Sequence, residues 1–176
     1  MILEYLVIVL GMFLSYFLKD VNFLSLQFDV LNTGIIYPDF LLIFVIFFAL
    51  NRDEFTGLWI GFFSGLLEDS TILQFSSNGA DPFTSLIGLH SFAYTILGFT
   101  MGKINRMIDR DNTSTILIIV FIATLLTRLM VWLLMGMVNQ FYTSYSFLST
   151  AFYTAAIAPI WFALLGWMYR LSGGKR

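Results

Sequence analysis

The chain has 176 residues, of which 59% are apolar and only 11% are charged, and its formal net charge is −2. Because an average soluble domain is about half apolar and about one quarter charged, this composition indicates an integral membrane protein. The weak negative charge gives no reason to expect nucleic-acid binding. The absence of cysteine excludes disulfides, thiolate metal sites and cysteine nucleophiles.

The apolar residues form six continuous runs. Only α-helices and closed barrels satisfy every backbone polar group in lipid, and runs that do not alternate favour helices over a barrel. We therefore predict an all-α integral membrane protein, with six transmembrane helices packed into one compact bundle and a single domain over residues 1–176. The spans lie near residues 2–18, 35–50, 55–73, 86–102, 115–138 and 149–170, each close to the roughly 17–25 residues that a bilayer requires.

Three residues help to interpret individual spans. In the first span, Glu4 stands where a signal peptide would be positively charged, so we expect a retained membrane anchor. In the second span, Pro38 should kink the helix, because proline removes a backbone hydrogen bond. Pro159 should do the same in the sixth span.

The third span contains glycines at a spacing of four. Gly57, Gly61 and Gly65 lie along one helical face, and Gly98 and Gly102 repeat the spacing in the fourth span. Faces of this kind let two helix backbones approach closely where lipid supplies no hydrophobic drive. We predict a helix-packing or partner face. A partner helix inside the chain is favoured, while a second copy in a homodimer and a helix of another protein stay open.

Five ionisable residues lie within the predicted spans, in the outer half of the membrane or at its midplane: Asp39, Glu68, Asp69, His90 and Arg128. We call them the polar cluster. Such residues are costly in lipid and usually face a partner inside the bundle, so Arg128 should pair with Asp39 or Glu68. A structural network is the favoured interpretation. A ligand or proton path, or a contact for another protein's transmembrane helix, are the alternatives.

Lysine and arginine outside the spans predict the orientation. Seven of them fall in one set of loops and at the C-terminus, whereas the opposite set contains only Lys19. By the positive-inside rule, both termini then lie in the cytoplasm. The seven are Arg52, Lys103, Arg106, Arg110, Arg170, Lys175 and Arg176.

The residues give no support for catalysis. The chain resembles a rhomboid protease in having six spans, a serine beside a glycine and a single histidine. That family needs a Gly-x-Ser-Gly turn, whereas residues 61–65 read Gly-Phe-Phe-Ser-Gly, with Phe62 at the position of the first glycine. One histidine without cysteine is also a poor basis for a metal site. We therefore expect no enzyme activity, no cofactor and no metal.

Three pieces of sequence, in order, carry a family resemblance. “YPDFLLIFVIFFAL” (37–50) is followed by a short charged turn, by “GLWIGFFSGLLED” (57–69) and by “IGLHSFAYTILGFTMGKI” (87–104). This ordered set resembles the bacterial rod shape-determining family MreD over about residues 35–105, and more loosely to the ends. One departure is “TSLIG” before the Leu-His pair, where the family commonly has a Pro-Leu pair.

The resemblance implies a non-catalytic scaffold, a multi-pass protein of the bacterial inner membrane. Members of the family bind MreC, a single-span protein with a periplasmic domain. Together they connect the actin-like MreB filament to peptidoglycan synthases in the elongation machinery, which maintains cell shape. We hypothesise that the glycine face and the outer acidic residues dock the MreC helix.

An alternative of a different class stays open. The chain is also similar to the substrate-binding subunits of energy-coupling-factor vitamin transporters, which are small six-helix proteins with a ligand pocket open to the outside. The polar cluster would then line a vitamin pocket. Those subunits dock their coupling partner through an alanine-spaced face on span one, whereas only Gly11 and Ser15 have that spacing here.

Overall fold

A computed structural model describes residues 2–19, 21, 24–27, 35–76, 88–109, 112–137 and 147–171. In chain order the elements are α1 (Ile2–Lys19), β1 (Leu26–Gln27), β2 (Ile35–Ile36), α2 (Phe40–Asn51), α3 (Glu54–Ser76), α4 (Leu89–Ile104), a 3-10 helix (Asn105–Met107), α5 (Thr113–Met137) and α6 (Leu148–Leu171). The two short strands pair antiparallel, with Leu26 opposite Ile36. The predicted all-α class is confirmed, and each predicted span contains one helix.

Helix α2 is the centre of the bundle. Every residue from Phe40 to Leu50 is buried, and none is more than 5% exposed. The helix packs against α1, α3, α4 and α6, so it is apolar all round because it has no exposed face. Its 12 residues extend about 18 Å at 1.5 Å per residue, which is less than the roughly 30 Å of a bilayer's hydrocarbon core. Protein rather than lipid therefore surrounds most of α2.

The start of α2 corrects the predicted second span. Residues 37–39 are not helical and α2 begins at Phe40, so Pro38 precedes the helix. The prediction that Pro38 kinks α2 is wrong: proline disfavours a helical conformation in the residue before it, Tyr37, and Asp39 caps the helix start by accepting a hydrogen bond from the Leu42 N–H. Asp39 is the N-cap residue of α2 and does not lie one turn inside the helix. Pro159 does lie inside a continuous α6, where a kink stays a prediction.

Aromatic rings connect α2 to α6. Phe47 meets Phe162 edge to face with ring centroids 5.3 Å apart, and Phe48 meets Tyr169 in the same geometry at 5.9 Å. Aromatic pairs at these separations add to the stabilisation that burial alone gives. Part of the chain's high aromatic content therefore fills the core between these two helices.

The outer surface of the helices is also apolar. Among the described residues, α5 and α6 are long and apolar enough to cross a membrane. The other outer helices expose large apolar side chains too. Examples from α1, α3, α4, α5 and α6 are Leu10, Phe17, Trp59, Phe63, Phe92, Leu126 and Phe152. A protein that is apolar both inside and outside matches a lipid surrounding better than water.

Two ion pairs hold α1 at its two ends. Near its start, Glu4 Oε2 lies 3.0 Å from Arg52 Nη2. Burial lowers the pKa of Arg52, but its hydrogen bond to Glu4, together with its electrostatic interactions with Tyr169 and Glu4, outweighs this effect and leaves the pKa raised. At the other end, Lys19 pairs with Glu68 of α3.

We call the end of the bundle where α2 ends and α3 begins the Arg52 end, and the opposite end the Glu68 end.

Candidate functional site

Helices α3 and α4 approach each other through their glycines. A side chain at Gly57 would overlap the carbonyl oxygen of Gly98, and a side chain at Gly98 would overlap the carbonyl oxygen of Gly57. At Gly61 the obstacle is the backbone of Tyr94. Only glycine allows two helix backbones to come this close.

The same contact continues toward both ends of the helix pair. Gly65 faces the backbone of Ser91 at the Glu68 end. Gly102 faces Glu54 at the Arg52 end, where an added Cβ would lie 2.6 Å from the Glu54 Cα. All five glycines of the predicted face therefore lie between α3 and α4. A helix of another protein could dock on them only by displacing α4.

The carboxylate of Asp69, in α3, caps the N-terminus of α4. It accepts hydrogen bonds from the backbone N–H groups of Gly88, His90 and Ser91 at 2.8, 3.1 and 3.2 Å. The His90 ring adds a contact, with Nδ1 2.8 Å from Oδ1. The first N–H groups of a helix lack partners within the helix, and negative charge is favourable there. The acid that follows the glycine face thus joins α3 to the next helix.

Gly88 gives α4 its starting conformation. Its φ is +113°, a region that residues with a side chain rarely adopt. The N–H groups that follow it then converge on Asp69. Ser91 strengthens the junction, since its hydroxyl donates to the Phe62 carbonyl at 3.1 Å. Backbone and side chain of this first turn therefore both bind α3.

Asp39 lies where three helices meet. Its Oδ1 accepts from the Leu42 N–H at 2.9 Å, which caps α2. Its Oδ2 accepts from the Tyr94 hydroxyl of α4 at 2.6 Å. The Asp39 backbone N–H donates to Thr154 Oγ1 of α6 at 3.1 Å. One residue therefore ties α2 to both α4 and α6.

Glu68 and Arg128 complete the polar cluster. Glu68 forms an ion pair with Lys19 of α1. The charges of Glu68 and Arg128 both act on Asp39, so α5 borders the cluster through Arg128. The predicted pairing of Arg128 with Asp39 or Glu68 stays a prediction.

The structure brings the five predicted residues together in two groups. Asp39, Glu68 and Arg128 share one electrostatic environment with Tyr94, whereas Asp69 and His90 contact each other at the start of α4.

Sequence reasoning left three contributors out of the cluster. Tyr94 follows His90 by four residues, about one helical turn, and Lys19 is the single basic residue assigned to its side of the membrane. Both signals could have been used. Thr154 carries no comparable signal, because threonines are common in apolar helices.

The polar cluster is suited to holding helices together. Each carboxylate oxygen of Asp39 and Asp69 already accepts a hydrogen bond from the protein. Buried polar groups satisfied in this way rigidify a core. Within the described part of the chain, no group of three or more His, Asp or Glu side chains is arranged to hold a metal ion.

Comparison with known protein families matches residues 2–172 to the family described as rod shape-determining protein MreD. The match includes all six α-helices that the structure describes. Neither the curated proteins nor the solved structures gave a significant match. The MreD family consists of bacterial membrane proteins with a role in determining rod shape. The match confirms the resemblance seen in the ordered sequence pieces, and this chain therefore belongs to the MreD family of rod shape-determining proteins.

Proposed function

We propose that this chain is a non-catalytic scaffold of the cell-elongation machinery in the bacterial inner membrane. In this role it binds MreC and helps to couple MreB filaments to peptidoglycan synthesis and rod shape. The observation that carries the proposal is the family match over residues 2–172. MreD is a shape-determining family and not a known enzyme family.

The proposed topology is six transmembrane helices with both termini in the cytoplasm. The lengths and compositions of α5 and α6 support it, as do the apolar side chains that the other outer helices expose. The Arg52 end of the bundle also contains Lys103, Arg106 and Arg170, whereas Lys19 lies at the Glu68 end. The positive-inside rule then places the Arg52 end in the cytoplasm.

The geometry of the polar cluster favours a scaffold over a vitamin-transporter subunit. Asp39 and Asp69 cap helices and bind side chains of their own chain. A cavity between α2, α5 and α6 lies at the Arg52 end, and none of the polar-cluster residues is among its described lining residues. We therefore retain the scaffold proposal alone.

The packing of α3 on α4 leaves the glycine face without room for an MreC helix. Because α4 covers the glycine face, we propose that the single MreC helix packs on an exposed helix face and leaves the α3–α4 pair intact. Phe63 of α3, Leu126 of α5 and Phe152 of α6 are at least 50% exposed and represent three such faces.

Co-expression with MreC tests the proposal. The tagged chain is purified in a mild detergent, with an unrelated single-span membrane protein co-expressed as the control. We expect MreC, but not the control protein, to be recovered in a fixed ratio. Recovery of a monodisperse chain without MreC would contradict the proposal.

Disulfide crosslinking then locates the contact, because the chain has no cysteine of its own. Single cysteines at Phe63, Leu126 or Phe152 are combined with single cysteines along the MreC transmembrane helix. We expect crosslinks from one of the three faces. A cysteine at Val120, which is 0% exposed, is the matched control and should give none.

A further inference from the structure

A cavity of about 390 Å³ opens at the Arg52 end of the bundle between α2, α5 and α6. Rings and aliphatic side chains form its walls, namely Phe47, Ile116 and Phe162. Asn51 and Arg170 provide polar groups. Sites for small ligands typically have about 300–1,000 Å³, so the cavity is large enough to hold part of an amphiphilic molecule.

Small residues on α6 leave this space open. Pro159, Ala163 and Gly166 all line the cavity, and their spacings of four and three place them along one helical face. None of them has a side chain long enough to reach across to α2 or α5. The cavity is therefore built into the sequence of α6, one of the two helices that are long and apolar enough to cross a membrane.

The polar part of the cavity contains one cationic side chain among the described lining residues. Arg170 is exposed, and its Nε donates to the Gly166 carbonyl at 3.2 Å, which uses one of the five guanidinium N–H donors. Helix α5 begins at Thr113, beside the cavity, with the positive end of its dipole, whereas α2 and α6 end there with their negative ends. The full positive charge at the cavity is therefore that of Arg170. None of the described lining residues is acidic.

A second arginine lies next to the cavity. The Arg52 guanidinium is 5.6 Å from the centre of the Tyr169 ring, and Tyr169 is one of the lining residues. Glu4 balances the charge of Arg52. Among the described residues, Arg170 is therefore the cation that lines the cavity and forms no ion pair with an acidic side chain. A ligand suited to this site combines an apolar chain with an anionic group.

We propose that the cavity binds an anionic phospholipid of the cytoplasmic leaflet. Its phosphate interacts with Arg170, and the upper part of an acyl chain packs against Phe47, Ile116 and Phe162. Basic pockets between transmembrane helices on the cytoplasmic side are suited to such headgroups. The inference rests on the proposed membrane topology and does not depend on MreC binding.

Lipid titration of the delipidated protein, followed by native mass spectrometry, tests the proposal. The probes are phosphatidylglycerol and phosphatidylcholine with identical oleoyl chains. We expect phosphatidylglycerol to bind more tightly. Arg170→Gln should weaken its binding about fivefold, which corresponds to about 1 kcal/mol for one basic residue. Arg106→Gln is the matched control, since Arg106 is exposed at the same end and does not line the cavity; it should leave the affinity unchanged.

Two further measurements separate the cavity from the general surface. Ala163→Leu should fill the cavity and weaken binding of both lipids, while the protein stays monodisperse. Glycerol 3-phosphate should not displace the lipid, because it lacks the acyl chain. Equal affinity for the two lipids, equal losses in the two arginine variants, or displacement by glycerol 3-phosphate would each overturn the proposal. MreC recovery is measured separately, so these outcomes leave the scaffold proposal untouched.

Discussion

The helix pairs α3–α4 and α5–α6 pack in different ways. In the first pair, glycines bring the two backbones into contact and Asp69 binds the first turn of the neighbouring helix. In the second pair, side chains make the contact, as between Phe121 and Phe152, whose ring centroids are 4.8 Å apart. Small residues of α6 also leave a cavity beside this pair. The first pair therefore has no room for a larger residue, whereas the second pair has.

The largest expected effect tests this difference directly. Gly61→Leu should destabilise the protein by about 3 kcal/mol, because the added side chain meets the Tyr94 backbone, which cannot move aside. Ala163→Leu, which faces the cavity, should change the stability by no more than about 0.5 kcal/mol. Thermal unfolding of the purified variants in detergent measures both. Similar losses in the two variants would show that the pairs are packed alike.

The next largest effect concerns the cap on α4. Asp69→Ala should cost about 2 kcal/mol, because it leaves the N–H groups of Gly88, His90 and Ser91 without their acceptor. Lys103→Ala is the control, since Lys103 is exposed. The same unfolding experiment compares them. If both variants unfold together with the wild type, Asp69 does not hold α3 to α4.

A smaller effect is expected where α4 contacts the central helix. Tyr94→Phe removes the hydroxyl that donates to Asp39 and should cost about 1 kcal/mol. Tyr5→Phe, at a side chain that is 67% exposed, should have no measurable effect. A loss of the same size in both variants would show that removing any tyrosine hydroxyl has this effect, and that the contact with Asp39 is not its cause.

The smallest effect is expected at the exposed start of α3. The Thr56 hydroxyl donates to Asp53 at 2.5 Å and lowers the pKa of that carboxyl below 3.8. The lowered pKa adds stability above pH 3.8, and this stability is lost as the pH falls through the folded-state pKa. Asp53→Asn should therefore cost less than about 0.5 kcal/mol near neutral pH. The difference should vanish in acid, and a difference that persists there would rule out the ionised carboxylate as its cause.

The sequence predicted the helices well and their contacts less well. Continuous apolar runs located six helices to within a few residues, because each run reports on its own surroundings. The exception is the start of α2, where Pro38 was assigned to the helix but precedes it. The glycine spacing predicted a packing face, but it did not identify α4 as the helix that covers that face. The polar cluster was assembled from depth alone, which cannot separate the Asp39 group from the Asp69–His90 pair.

Two levels of information thus account for this protein. Local composition and the order of a few motifs were sufficient for the helical class and for MreD membership, since hydropathy and glycine spacing act within one helix. The ion pair between Lys19 and Glu68, the capping of α4 by Asp69 and the cavity beneath Arg170 required the folded chain. These features join residues from different helices, and the rotation of each helix about its own axis is fixed only when the helices pack against one another around α2.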